Sequence, residues 1–490
     1  MTLSYIPSDT NDEGIFKAAA SGSLPNGKPV IVNADGTVSV VSETGISVAQ
    51  AVGSASVYES ARVDFSNAAF DSSNNKIVVV YRDGGNSFYG TAVVGTVDAS
   101  DNSISFGTPV VFASHRSDDT DVTFDSNANK IVICYHQNNQ TGRAVVATVS
   151  GTGISFGSVV SFNSAAVFYT NIVFDSSNNK VVISYRDASN GRAVVGTVSG
   201  TDISFGSTAV FNSGDTYEVA STFDSTSNKV IIAYKDGANS SKGTAIVASV
   251  SGTSISFGSE AVFEQGNTDF ISLAHDTSLN KTLISFRDNG DSAKGKSVVA
   301  TVSGTSISFG TAAVFASGGI PATSYSTASV YFPDAQKVWV IYADDGNSDK
   351  GTLVEATISG TDVSFATAVV IEQGAIVYPG ITYDSTSAKL VTCYTDTPNS
   401  QYGTSVVIQP SYDGPNLTAE NYIGISTGGT YASGSNATIK IIGNTSNEQS
   451  SLTAGQAYYV QTDGTLGTTA ADPSVFAGTA ISATKLLVKT

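Results

Sequence analysis

The chain has 490 residues and carries 24 basic against 42 acidic side chains, a net charge of −18. That balance repels phosphate backbones and anionic lipid surfaces, which excludes nucleic acid as an expected partner. No apolar run approaches the roughly 18 residues needed to cross a bilayer, so no membrane insertion is expected either.

The first residues, MTLSYIPSDTNDEGIF, have neither a basic start nor an apolar stretch, and no export signal is read there. Residues 1–44 then reach GKPVIVNADGTVSVV, where alternating apolar residues flank Asp35-Gly36. Asp-Gly between such runs predicts a two-stranded hairpin with a type I′ turn, positive φ at both central residues.

From residue 45 to 410 one template recurs seven times, most plainly as FDSSNNKVVISYRD at 174–187. Each copy has a lysine after its first turn: Lys76, Lys130, Lys180, Lys229, Lys281, Lys337 and Lys389, spaced 49 to 56 residues apart. Within one copy, 169–175, 180–187, 191–199 and 203–211 read as four antiparallel strands, here called A, B, C and D. The Val-, Ile-, Thr-, Tyr- and Phe-rich palette suits pleated strands. Such a sheet has two apolar faces to cover, and seven copies cover themselves by closing into a ring. The expected fold class is therefore all-β, a seven-bladed β-propeller with four-stranded blades.

The ends of the array sharpen this expectation. No D strand follows the seventh C strand, GTSVVIQP (403–410), whereas GISVAQAVGSASVY (45–58) has the D pattern and precedes the first A strand. The N-terminal strand is expected to close the last blade, leaving no free edge. Residues 411–490 repeat the N-terminal hairpin: Gly27, Val30, Val32, Asp35, Gly36 and Thr37 match Gly455, Tyr458, Val460, Asp463, Gly464 and Thr465. Segments 1–44 and 411–490 are thus expected to form one small β-domain with the propeller inserted in it.

Candidate chemistry is sparse. Cys134 and Cys393 occupy the same repeat position in non-neighbouring copies, which reads as a small buried slot and not a disulfide. His115, His136 and His275 fall at different repeat positions, so neither a catalytic triad nor a metal site is expected, and no cofactor. The B-to-C loops such as DGANSSKG (236–243) are oxygen-rich but lack the closing Glu of a calcium loop, and turn chemistry explains them. Strand B ends such as Tyr185-Arg186-Asp187 and Tyr81-Arg82-Asp83 read as inter-blade aromatics and turn acceptors. The arginine cluster resembles that of sialidases, where it clamps a carboxylate, but the Ser-x-Asp-x-Gly-x-Thr-Trp box of that family is absent and the only tryptophan, Trp339, lies within a B strand. What varies among copies is the D-to-A connection. It carries Tyr58, Tyr169, Tyr217, Phe270, Tyr325 and Tyr378, with His115-Arg116 in one copy. Rings beside polar residues can stack on sugars, and these eight residues form the expected glycan-binding face.

The flanks GKPVIVNADGTVSVV, ENYIGISTGGTYASG and LTAGQAYYVQTDGTLGTTAADPSVFAGTAISATKLLVK resemble modules of tailed-bacteriophage virion structural proteins, of the tail-fibre, head-fibre or decoration type. The resemblance covers about 120 residues and is weaker over the repeats. It implies a non-enzymatic virion surface protein, made in the host cytoplasm and present in several copies or as a homo-oligomer. Its flanking module would dock on other tail or capsid proteins while its repeats face outward, able to adhere to host surface glycans. The alternative is a glycan-degrading propeller enzyme of a tailspike.

Overall fold

A computed structural model describes residues 14–489 except 139, 325, 415 and 472. The export-signal reading of the first residues and the candidate Tyr325 lie outside the described residues. The chain divides into two compact units, Gln50–Pro410 and the flanks up to Ala49 and from Ser411. The first unit begins at Gln50, five residues later than expected, because Ile46–Val48 pairs with Tyr412–Gly414 and not within a blade.

Gln50–Pro410 is a seven-bladed β-propeller. Blade three shows the unit: strand A Val167–Asp175, B Lys180–Asp187, C Asn190–Ser199, and D in two pieces, Asp202–Phe205 and Ala209–Asn212. All pair antiparallel. The repeated Phe-Asp-x-x-x-Asn-Lys motif encodes the A-to-B turn. Asp175 Oδ1 accepts the Ser177 and Asn178 amides, both at 3.0 Å, and Asn179 takes φ 53°. An Asx turn followed by a left-handed Asn needs those residue types at those positions. Asp71, Asp125, Asp224 and Asp276 do the same, with Asn75, Asn129, Asn228 and Asn280 left-handed.

Blades adhere through an aromatic pair. The D-strand Phe of one blade meets the B-strand ring of the next: Phe162 and Tyr185 at 5.2 Å, Phe211 and Tyr234 at 5.2 Å, Phe263 and Phe286 at 5.3 Å. A strand C glycine makes room for that Phe. A Cβ on Gly191 would lie 2.2 Å from Phe211 Cε2, so no larger residue fits without displacing the ring. The glycine of the ISFG motif faces the C-to-D turn of the next blade, where a Cβ on Gly206 would lie 2.1 Å from the Thr253 carbonyl oxygen. Blade seven has no C-to-D turn, because its C and D strands come from opposite ends of the propeller. There the position facing it is Ala366, not glycine.

The ring closes as the missing strand predicts. Tyr402–Gln409, strand C of blade seven, pairs with Ala51–Val52 and with the start of Ser56–Asp71. Tyr58 takes the D-strand Phe position, 5.2 Å from Tyr81, and Gly53 packs on the Asn102 carbonyl. Val391, Cys393 and Val407 share a core with Val63, Val79 and Tyr81. Cys134 is buried in a different cluster, and both thiols are free.

The flanking unit contains two five-stranded sheets with the same strand order. One runs Ile15–Ala19, Asn436–Lys440, Tyr422–Thr427, Pro29–Val32, Val38–Val40; the other runs Thr445–Ser446, Lys485–Val488, Val475–Ser482, Ala457–Val460, Leu466–Gly467. The module is therefore a duplication, and the propeller interrupts its first copy after Val38–Val40. Ile31, Val41, Tyr422, Val460, Val475 and Leu486 form the core common to both sheets. The Asp-Gly hairpins differ from a type I′ turn. Gly36 N donates to Asn33 O at 2.9 Å and only Gly36 of the pair has positive φ, 84°. Asp35 is held instead by its carboxylate, which accepts Thr37 N at 3.0 Å and Thr37 Oγ1 at 2.7 Å. Asp463 and Thr465 repeat this at 2.8 and 2.6 Å.

Candidate glycan site at the propeller axis

The D-to-A connections are not loops in four cases. Ser56–Asp71, Val110–Asp125, Ala261–Asp276 and Val369–Asp384 each run unbroken from the D strand of one blade into the A strand of the next. Early in strand A the pairing register slips, between Asp64 and Asn67, Asp118 and Asp121, Phe168 and Asn171, Tyr217 and Ala220, Asp269 and Ser272, and Val377 and Gly380. Each slip is a β-bulge, which re-aims one side chain. The re-aimed residues are Phe65, Asp119, Tyr169, Glu218, Phe270 and Tyr378, with φ between 48° and 54°. Positive φ on bulky residues costs about 1–3 kcal/mol each and persists where surrounding structure enforces it. Here the enforcement is visible as an inter-blade hydroxyl belt. Ser66 Oγ donates to Tyr378 O at 2.7 Å, Thr120 Oγ1 to Phe65 O at 2.5 Å and Thr327 Oγ1 to Phe270 O at 2.7 Å, and Thr170 Oγ1 donates to Asp119 O.

All six bulge residues line one cavity of about 550 Å³ to which every blade contributes, together with Arg116, Asp118, His136, Phe168 and Thr327 among others. Tyr169, Phe270 and Tyr378 of the expected face are thus brought together with Arg116. The others are not. Tyr58 is 5% exposed and belongs to the inter-blade core, because the chain entering blade seven places it where the other blades put Phe. His115 is exposed but does not line the cavity. Tyr217 precedes the bulge residue Glu218 and stacks under Arg186, 4.3 Å from its ring centre. Phe65, Asp119, Glu218 and His136 were not among the sequence candidates. For the first three the signal is an offset: each bulge residue lies six positions before the A-to-B turn aspartate, as Tyr169 does before Asp175.

The cavity is strongly charged on one side. Asp64 and Asp118 hold the buried Arg82, Asp64 at 2.6 Å, and Arg116 reaches Asp118 at 2.9 Å. His136 Nε2 lies 3.5 Å from Asp118, and its Nδ1 3.3 Å from Asp119. Burial opposes a charged imidazole, but the Asp118 and Asp119 carboxylates outweigh it and push His136 up to about 9. Burial likewise opposes ionisation of Asp118, yet His136, Arg116 and Arg82 hold it well below the usual carboxylate range. Burial, aided by the Asp269 charge, pushes Glu218 up to about 7. Its Oε2 accepts the Phe270 amide at 3.3 Å.

Asp121 is also pushed up to about 7 by burial. Its oxygens accept Val122 N and Ile172 N, both at 2.8 Å, and Asn171 Nδ2 at 2.7 Å, which makes it an inter-blade fastener with no face toward the cavity. The strand B arginines Arg82, Arg186 and Arg287 do not line the cavity. Arg82 sits over Phe65 at 4.6 Å, and Arg287 donates to Ile320 O at 2.6 Å beside Phe270. Asp83 and Asp236, in the B-to-C loops, accept their own turn amides at 2.9 and 3.1 Å. Among the described residues no group of three or more His, Cys, Asp or Glu is placed to hold a metal ion.

No protein-family model matches the chain, and no curated protein matches it. Among solved structures it is similar to the BP39L lectin of Burkholderia pseudomallei, with TM-score 0.53 and 10% identity over 72% of this chain and 100% of that one. It is also similar to the NanB sialidase of Streptococcus pneumoniae, with TM-score 0.43 and 12% identity over 71% of this chain and 68% of that one. At 10% identity the likeness to the lectin concerns the fold alone.

Proposed function

We propose that this protein is a non-enzymatic virion surface protein of a tailed bacteriophage whose propeller binds host-surface glycan at the axial cavity. The observation that carries the binding role is the ring of bulged residues. Phe65, Tyr169, Phe270 and Tyr378 hold aromatic faces around one cavity at a bulge position whose backbone geometry does not itself require an aromatic side chain, since Asp119 and Glu218 occupy the same position. Aromatic faces with hydrogen-bonding neighbours suit sugar rings. The virion role rests on the sequence of the flanking module, which docks on tail or capsid proteins in several copies.

A second reading, glycan cleavage, is favoured by Glu218, whose carboxyl near 7 suits a general acid, with the Asp119 carboxylate in the same cavity. A glycan array probed with the whole chain, followed by reducing-sugar release from each bound glycan, separates them. The expected result is binding without release, weakened at least about tenfold by Tyr169→Ala. Release would establish the enzyme, and a silent array would remove the glycan role.

A further inference from the structure

The two cations that line the axial cavity, and the buried Arg82 beside them, are already paired. Arg82 is held by Asp64 and Asp118, and Arg116 by Asp118. His136 lies between Asp118 and Asp119. Just outside the lining, Lys235 and Arg287 share Asp269, at 2.7 and 3.3 Å. Carboxylates remain in excess: Asp118, Asp119 and Glu218 line the cavity against Arg116 and His136. Glu218 has no ion-pair partner among the described residues, only the Phe270 amide.

His136 is 7% exposed and lines the cavity, and its Nδ1 is already engaged 3.3 Å from Asp119. The cavity thus offers aromatic faces and carboxylate acceptors. Sugar C–H faces and hydroxyl donors complement these groups. An anionic substituent complements neither, because the two cations that line the cavity already serve Asp118 and Asp119.

We propose that the axial cavity selects uncharged glycans, of the neutral hexose or N-acetylhexosamine class, and rejects those bearing a carboxylate or sulfate. This rests on the glycan-binding reading and sets the site apart from one that clamps an acidic sugar. The test is titration calorimetry of the whole chain with matched pairs: N-acetyllactosamine against its sialylated form, and oligogalactose against oligogalacturonate. At least one neutral member should bind, with its acidic partner at least about tenfold weaker. Added salt should narrow that gap by screening the repulsion while leaving the neutral ligand unaffected. Glu218→Gln should narrow it as well, and the salt series keeps the test decisive if that variant folds poorly. Acidic members binding as tightly as neutral ones would overturn the selectivity and leave glycan binding standing. No binding by any member, on an array that is also silent, would overturn both.

Discussion

A chain lacking its first 60 residues should fail to form a closed propeller, whereas one spanning Gln50–Pro410 should keep it. Removing that segment strips blade seven of its D strand and leaves Tyr402–Gln409 as an unpaired edge. It also removes Tyr58, whose ring fills the junction with Tyr81 and Phe106 at 5.2 and 5.6 Å. Loss of one buried aromatic of that size costs about 3–5 kcal/mol, a large part of the roughly 5–15 kcal/mol that holds a domain together. The edge and the other uncovered groups add to it. Circular dichroism with size-exclusion chromatography should find the shorter chain aggregated or without a cooperative melt. A monomer with a sharp transition would mean that the clasp is dispensable.

Asp64→Ala should destabilise the propeller by about 3–5 kcal/mol, the range for stranding a buried charge. Arg82 is 6% exposed and Asp64 2%, so the guanidinium cannot turn to water, and Asp118 must then serve it together with Arg116 and His136. Chemical denaturation gives the readout, and a loss below about 1 kcal/mol would show that Asp118 suffices. The same network gives stability a pH dependence of defined sign. His136 is raised to about 9 in the folded state, above an unfolded value of about 6.5. Its contribution is therefore complete below about 6.5 and is lost as pH rises through about 9, and Asp64→Ala should not abolish that slope because Asp118 and Asp119 set it.

What was legible in the sequence was whatever repeats. Phe-Asp-x-x-x-Asn-Lys fixes the A-to-B turn through side-chain chemistry that is local and identical from blade to blade, and the absent last D strand announced the clasp. The clasp boundary was misplaced because Ile46-Ser47-Val48 imitates the Ile-Ser-Phe of a D strand, while the true match to Gly206 is Gly53. The hairpin was foreseen but not its turn, since the Asp35–Thr37 hydrogen bonds compete with the left-handed form of Asp35. The axial cavity was only half legible. A bulge is a property of backbone register, and no residue type signals it, so Tyr169, Phe270 and Tyr378 drew notice while Phe65, Asp119 and Glu218, at the same structural position, did not. Tyr58 misled for the opposite reason: it lies in a variable D-to-A connection, yet its ring occupies the position of a core Phe.

The seven copies agree where they build the scaffold and differ at the bulge, and the claim is that function follows the difference. A crystal structure of the whole chain soaked with its best array glycan tests this most directly. The account predicts the sugar in the axial cavity, stacked on at least one of Tyr169, Phe270 and Tyr378 and within hydrogen-bond reach of Asp119 or Glu218. Sugar bound instead between blades, at positions that recur in every copy, would contradict it.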